Sequence, residues 1–231
     1  MKPAILIVLA LLSFAVSPPS RAQGGPPPAA PAEAPAAPPP GGVILTQPGG
    51  APAEAGQAAP SGSAASARPT LIPTPGDPMD VNEVTLPGKP AAMIAGTGSW
   101  DEGFATLKGA FAKIEDALKQ EGIAPAGRPV TVFLETDDTS FRYQAMVPIA
   151  AIPEGRATLT PEIRFGRIPE GKAYRFVHKA PYDDIDTTYE TITAYLDAKG
   201  ILAKDVFIEE YVTDLTDASE EIEINVFVQP R

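Results

Sequence analysis

"YRFVHKAPYDDIDTTYETI", residues 174–192, holds the only histidine of the chain and places three aspartates within four residues. Two readings compete for it. As the corner of an active site, His178 would work with Asp183, Asp184 and Asp186. As architecture, a strand ends near Ala180-Pro181 and the chain passes into a helix whose first turn is acidic. Side-chain oxygens in a first turn satisfy free backbone N–H groups, and their charge complements the helix dipole. A single histidine without a second at metal spacing makes a poor metal site. The stretch therefore reads as strand, turn and helix, with the aspartates as caps and His178 as a hydrogen-bonded turn residue.

Working outward, "KAYRFVH" is the strand, and Ile185, Tyr189, Ile192 and Leu196 recur at helical spacing as one buried stripe. Gly200 ends the helix. "DVFIEEYV" and "EIEINVFV" alternate with a period of two, and Ile222, Ile224, Val226 and Val228 share one face of the last strand. Shifting the sequence by 82 positions aligns this half with an earlier one, matching Leu86-Pro87 to Ile168-Pro169 and Trp100-Asp101-Glu102 to Tyr182-Asp183-Asp184. The earlier half repeats the order. "KPAAMIAG" is a strand, Ser99 and Glu102 have capping-box spacing, and Phe104, Leu107, Phe111, Ile114 and Leu118 form a stripe closed by Gly122. "VTVFLE" and "FRYQAMVPI" follow as strands around "TDDTS". The expected fold is α+β: two βαββ modules, one antiparallel sheet, and two main helices on one side of it.

The rest of the chain is different material. Lys2, the apolar run from Ala4 to Val16 and Ser20-Arg21-Ala22 form a signal peptide over residues 1–22, with cleavage after Ala22. The run falls short of the about 18 apolar residues of a membrane span. Residues 23–78 are rich in Pro, Ala and Gly and lack aromatic residues, so they read as a disordered linker. Residues 79–231 hold the only Trp, all the Tyr and every Phe except Phe14, and must contain the core. Destination is therefore the periplasm or the exterior. With no cysteine, disulfides, thiol catalysis and thiolate metal sites are all excluded. A net charge of −11 argues against binding nucleic-acid phosphates.

"IPEGKAYRFVHKAPYDDIDTTYETITAYL", then "IEEYVTD" and "INVFVQP", resemble the GyrI-like small-molecule-binding domain, which includes effector-binding domains of AraC-type and multidrug-responsive regulators. Its pattern is an Ile-Pro-Gly start, a His-x-Gly-Pro-Tyr turn, a helix, a Glu-x-Tyr strand and a Pro-ended last strand. Here Ala180 stands at the turn glycine. The resemblance implies a ligand cleft between the two halves. It also implies a central role for Glu209, which matches the glutamate of Glu-x-Tyr.

Strand alternation puts Phe207, Glu209 and Tyr211 on one side of "DVFIEEYV", and Val206, Ile208, Glu210 and Val212 on the other. The aliphatic side is expected to pack on the helices and the aromatic side to line the cleft. Glu210, on the other side, should not read a ligand's charge, and Glu210→Gln should have no more than a surface-sized effect on binding. Tyr143, which shares a face with Phe141, Ala145 and Val147, is the matching candidate from the first half. Trp100 and Tyr182 are symmetric candidates for the rim. A buried carboxylate among aromatic rings suits a cationic or apolar ligand, through charge and cation–π attraction. The expected function is an exported small-molecule-binding module. The alternatives are a hydrolase of reactive drug-like compounds with Glu209 as general base, and an interaction protein without a ligand. No cofactor, metal set or catalytic triad is indicated, and the protein partner and oligomeric state are left open.

Overall fold

The computed structural model describes residues 68–216 and 220–231; the signal segment and linker residues 23–67 lie outside the described residues. The strands are β1 (Asn82–Pro87), β2 (Pro90–Ser99), β3 (Val130–Thr136), β4 (Ser140–Pro148), β5 (Arg164–Arg167), β6 (Glu170–Ala180), β7 (Ala203–Tyr211) and β8 (Ile222–Pro230), and the helices are α1 (Gly103–Gln120) and α2 (Ile185–Lys199). They build one sheet in the order β1-β6-β8-β7-β3-β4-β2-β5, with every neighbouring pair antiparallel. The class is α+β, as expected. Along the chain, β2-α1-β3-β4 is followed by β6-α2-β7-β8. The short strand before each run crosses over: β1 pairs with β6, and β5 pairs with β2. β3 and β7 meet at the middle of the sheet.

Both helix stripes are buried as their spacing requires. Leu107, Phe111, Ile114 and Leu118 of α1, and Ile185, Ile192 and Leu196 of α2, are buried, with Phe104 and Tyr189 partly so. The left-handed Gly200 (φ 64°) ends α2 and returns its N–H to Leu196 and Asp197. The helix starts differ from the expectation. Each is preceded by a 3-10 turn, Trp100–Glu102 or Tyr182–Asp184, and no side chain caps either. The turn carries the first helical residue on to Gly103 or Ile185 and so leaves Ser99 behind. Asp184 has φ −98° and ψ 8°, not the extended backbone that turns a capping oxygen onto the helix. Asp183, Asp184 and Asp186 contribute charge at the dipole instead. His178 belongs to β6 and is buried, with Nε2 donating to Pro181 O (3.1 Å) and Nδ1 accepting from Thr188 Oγ1 (2.9 Å). A carbonyl can only accept, which sets this tautomer.

The expected assignment of sheet faces is reversed. The face under the helices carries Phe133, Phe141, Tyr143, Tyr211 and partly buried Phe207, while Val130, Val132, Ile208 and Phe227 lie on the outer face. Two helices with spaced side chains leave room for large rings between them and the sheet. Among the described residues, the aliphatic outer face meets Leu71 and Ile72 from a segment of bends and turns. That segment is residues 68–78. Leu71 is 4% exposed, its N–H donates to Glu210, and Arg175 donates to Thr74 O (2.6 Å) and Pro75 O (3.2 Å). The packed chain thus begins at least as early as Arg68, where the composition had suggested linker up to residue 78. Leu71-Ile72 is the apolar anchor. Glu210, expected to have no more than a surface-sized effect, is fully buried and also accepts from Asn225 Nδ2 (2.9 Å).

Candidate functional site

β7 delivers Glu209 to the helix face, opposite Thr131 of β3 and Val226 of β8. The carboxylate is 1% exposed, and each oxygen accepts one phenol: Tyr189 Oη from α2 on Oε1 and Tyr211 Oη on Oε2, both at 2.7 Å. Burial pushes the Glu209 pKa up, and the two phenols partly oppose that. Tyr182, Tyr189 and Tyr211 are in turn held well above their ordinary value, by burial first and the neighbouring Glu209 next. They remain hydrogen-bond donors at neutral pH.

Above Glu209 lies a cavity lined by Trp100, Gly103, Tyr182, Ile185, Asp186 and Tyr189, with a volume of about 20 Å³. That is space for about one water. It sits where α1 and α2 begin, and the Tyr182 ring that lines it stacks on Phe104, with centroids 4.4 Å apart. Trp100 is held by Nε1 donating to Asp137 O (2.7 Å) and packs on Phe141 at 4.6 Å. The arrangement is a carboxylate floor with aromatic walls, closed in this state by the protein's own rings. Among the described residues, no group of three or more His, Asp or Glu could hold a metal ion. No described helix is long and apolar enough to cross a membrane.

A profile of the GyrI-like small molecule binding domain matches residues 79–230. The chain belongs to the GyrI-like family. No curated protein matches it significantly. Among solved structures, it resembles EcmrR in an EcmrR–DNA complex (TM-score 0.54, 16% identity), over 66% of this chain and 58% of that one. The chain therefore spans little more than half of EcmrR. Further likenesses are a hydrolase from Listeria innocua (TM-score 0.47, 13% identity, 70% and 92% covered) and a protein solved bound to tetraphenylphosphonium (TM-score 0.46, 11% identity, 66% and 94% covered). At 16% identity the EcmrR likeness shows the fold alone.

Of the six residues singled out in this GyrI-like domain, Glu209, Trp100 and Tyr182 meet at the cavity, and Tyr211 reaches it through its bond to Glu209. Phe207 stands behind, edge-on to Tyr189 at 5.2 Å. Tyr143 shares the face but not the cavity. It lies over Gly96 of β2, where a Cβ would come within 2.8 Å of the ring. Three neighbours were missed. Tyr189 had been taken for stripe alone, yet a phenol among aliphatic stripe residues needs a partner once buried. Asp186 lines the cavity, and burial and then Glu190 raise its pKa. Thr131 is fully buried beside Glu209. Its hydroxyl is near enough to favour the Tyr211 phenolate, but it is not aligned as a hydrogen bond.

The buried acid makes a pH prediction. With Glu209 raised in the fold, the folded state holds more protons than the unfolded chain between the ordinary pKa of 4.5 and the raised one. Its contribution to stability is present at low pH and lost as pH rises through the folded value. Melting from about pH 5 to 8 should therefore show a smaller fall in Tm for Glu209→Gln than for the wild type. Glu210 and Asp186 shift in the same direction and retain the rest of the slope, while His178, depressed by burial, acts oppositely and equally in both proteins. Parallel wild-type and variant curves would contradict the buried charge.

Proposed function

We propose that this GyrI-like domain is an exported module binding small apolar or cationic molecules over Glu209, in a cleft between two duplicated βαββ halves. The observation that carries the reading is Glu209 itself: a buried carboxylate, held by two phenols, with no cationic side chain paired to it among the described residues. Such a charge costs several kcal/mol of desolvation unless compensated. A cation between the rings compensates it, and the ring faces add about 0.5–2 kcal/mol. Entry requires the rings that line the cavity, Trp100, Tyr182 and Tyr189, to part, since the present space is water-sized. Opening uses side chains at the two helix starts and leaves the sheet in place. Export rests on the N-terminal 22 residues, and N-terminal sequencing of the exported form should begin at Gln23.

Calorimetric titration with tetraphenylphosphonium and neutral triphenylphosphine oxide tests the site. Glu209→Gln should weaken the cation by about 1–3 kcal/mol and leave the neutral compound nearly unchanged. Glu210→Gln lies on the opposite side of the sheet and should leave both affinities nearly unchanged, while lowering Tm through the buried acceptor it alters for Leu71 N–H and Asn225. Equal effects of the two substitutions would refute the site. A second reading has one observation in its favour: the water-sized space beside a carboxylate of raised pKa also suits a general base. Hydrolysis of an activated ester that vanishes in Glu209→Gln would establish it. An absence of any ligand would instead leave an interaction protein.

A further inference from the structure

A groove of about 420 Å³ lies away from Glu209, between α1, the start of β3 and the loop after β7. This is the size of a small-molecule site. Its apolar floor includes Phe111, Pro129 and Leu215, and three of its lining side chains are cationic, in a chain of net charge −11. The three are not equivalent. Arg68 is paired with Glu115 at 2.6 Å. Lys108 is exposed, with Nζ 5.3 Å from the Phe104 ring centroid. Arg128 has a buried Nε without a hydrogen-bond partner, and no carboxylate lies within ion-pair distance of it among the described residues. The lining acid on the loop, Asp214, accepts on Oδ1 from both Thr216 N–H (3.0 Å) and Thr216 Oγ1 (2.8 Å), which with the charges of Arg68 and Arg128 hold its pKa down; it makes no ion pair with Arg128 among the described residues. That Nε is closed to solvent, so a ligand in the groove would meet half-buried Arg128 at the end of its guanidinium, where a charged acceptor makes the strongest hydrogen bond.

We propose that this groove is a second binding site, for a small organic anion whose carboxylate engages Arg128 and Lys108 while its apolar body lies on Phe111, Pro129 and Leu215. Two cations outside any ion pair among the described residues, beside apolar lining, suit a single carboxylate with a hydrocarbon tail. They do not form the extended basic track that a nucleic-acid backbone needs. The site opposes the Glu209 cavity in charge and does not depend on it. The two are nevertheless joined by contact, because Phe111 meets the Tyr211 ring edge-on at 5.4 Å and Tyr211 bonds Glu209.

The test is calorimetric titration of the full chain with octanoate and with neutral octanamide. Octanoate should bind and octanamide should bind more weakly. Arg128→Gln and Lys108→Gln should each weaken octanoate by roughly tenfold, the loss of one charge-assisted contact. Glu209→Gln should leave octanoate binding unchanged. Lys108 is exposed, so its substitution keeps the test valid if Arg128→Gln lowers Tm. The proposal is overturned if octanoate shows no binding, if both substitutions leave it unaltered, or if Glu209→Gln alone moves it.

Discussion

Phe111→Ala should cost the domain about 3–5 kcal/mol of unfolding free energy, the range for removing a buried aromatic ring. Phe111 is 3% exposed and sits at the middle of the α1 stripe, where the helix presses on the sheet. Its ring meets Tyr211 edge-on, so the variant also loses an aromatic pair of about 0.5–1.5 kcal/mol beyond area burial. The neighbours cannot collapse far, because Leu107 and Ile114 belong to the same rigid helix and Tyr211 is tethered to Glu209. Urea unfolding measures the loss. The midpoint should fall with little change in slope, since the surface exposed on unfolding is nearly the same. A loss under about 0.5 kcal/mol would mean that the stripe is not the core of this fold. Ile192→Ala makes the same argument for α2.

The second large effect belongs to the segment that composition had assigned to the linker. Leu71→Ala should cost about 2–5 kcal/mol, because Leu71 is buried on the outer face together with Leu86, Val132, Met146 and Ile208. Deleting residues 23–67 should leave Tm unchanged. Extending the deletion through Pro78 should lower Tm and raise binding of a hydrophobic dye, as the outer face loses its cover. Glu210 and Arg175 would regain water on that deletion, so the loss is chiefly apolar. If both deletions melted alike, the contacts of residues 68–78 would be incidental to stability.

Several elements were legible from local pattern. The strand-to-helix turn at residues 174–192 is where the sequence placed it, because alternation and helical spacing switch within a few residues and glycine marks the end. Separation of Glu209 from Glu210 by the pleat was also legible. Which face the helices would cover was not. Alternation distinguishes two faces without naming the layer on each, and aliphatic and aromatic rows are both apolar enough for either. Glu210 was misjudged for the same reason: nothing local to "IEEY" says that Leu71, 139 positions away, brings it a backbone donor.

For this protein, then, the sequence alone determined the two helices and the six strands of the repeated runs, their order, the α+β class and the family, since these depend on periodicity, glycine positions and motif spacing along the chain, whereas the short strands β1 and β5 lay outside it. Tertiary structure decided that Tyr189 and Tyr211 each occupy one oxygen of Glu209, that Trp100 and Tyr182 close a single cavity over it, and that residues 68–78 seal the opposite face. These are encounters between segments far apart in sequence. The energy of a buried carboxylate or an unpaired guanidinium depends on whatever other segments place within a few ångströms, and no local window of sequence contains that information.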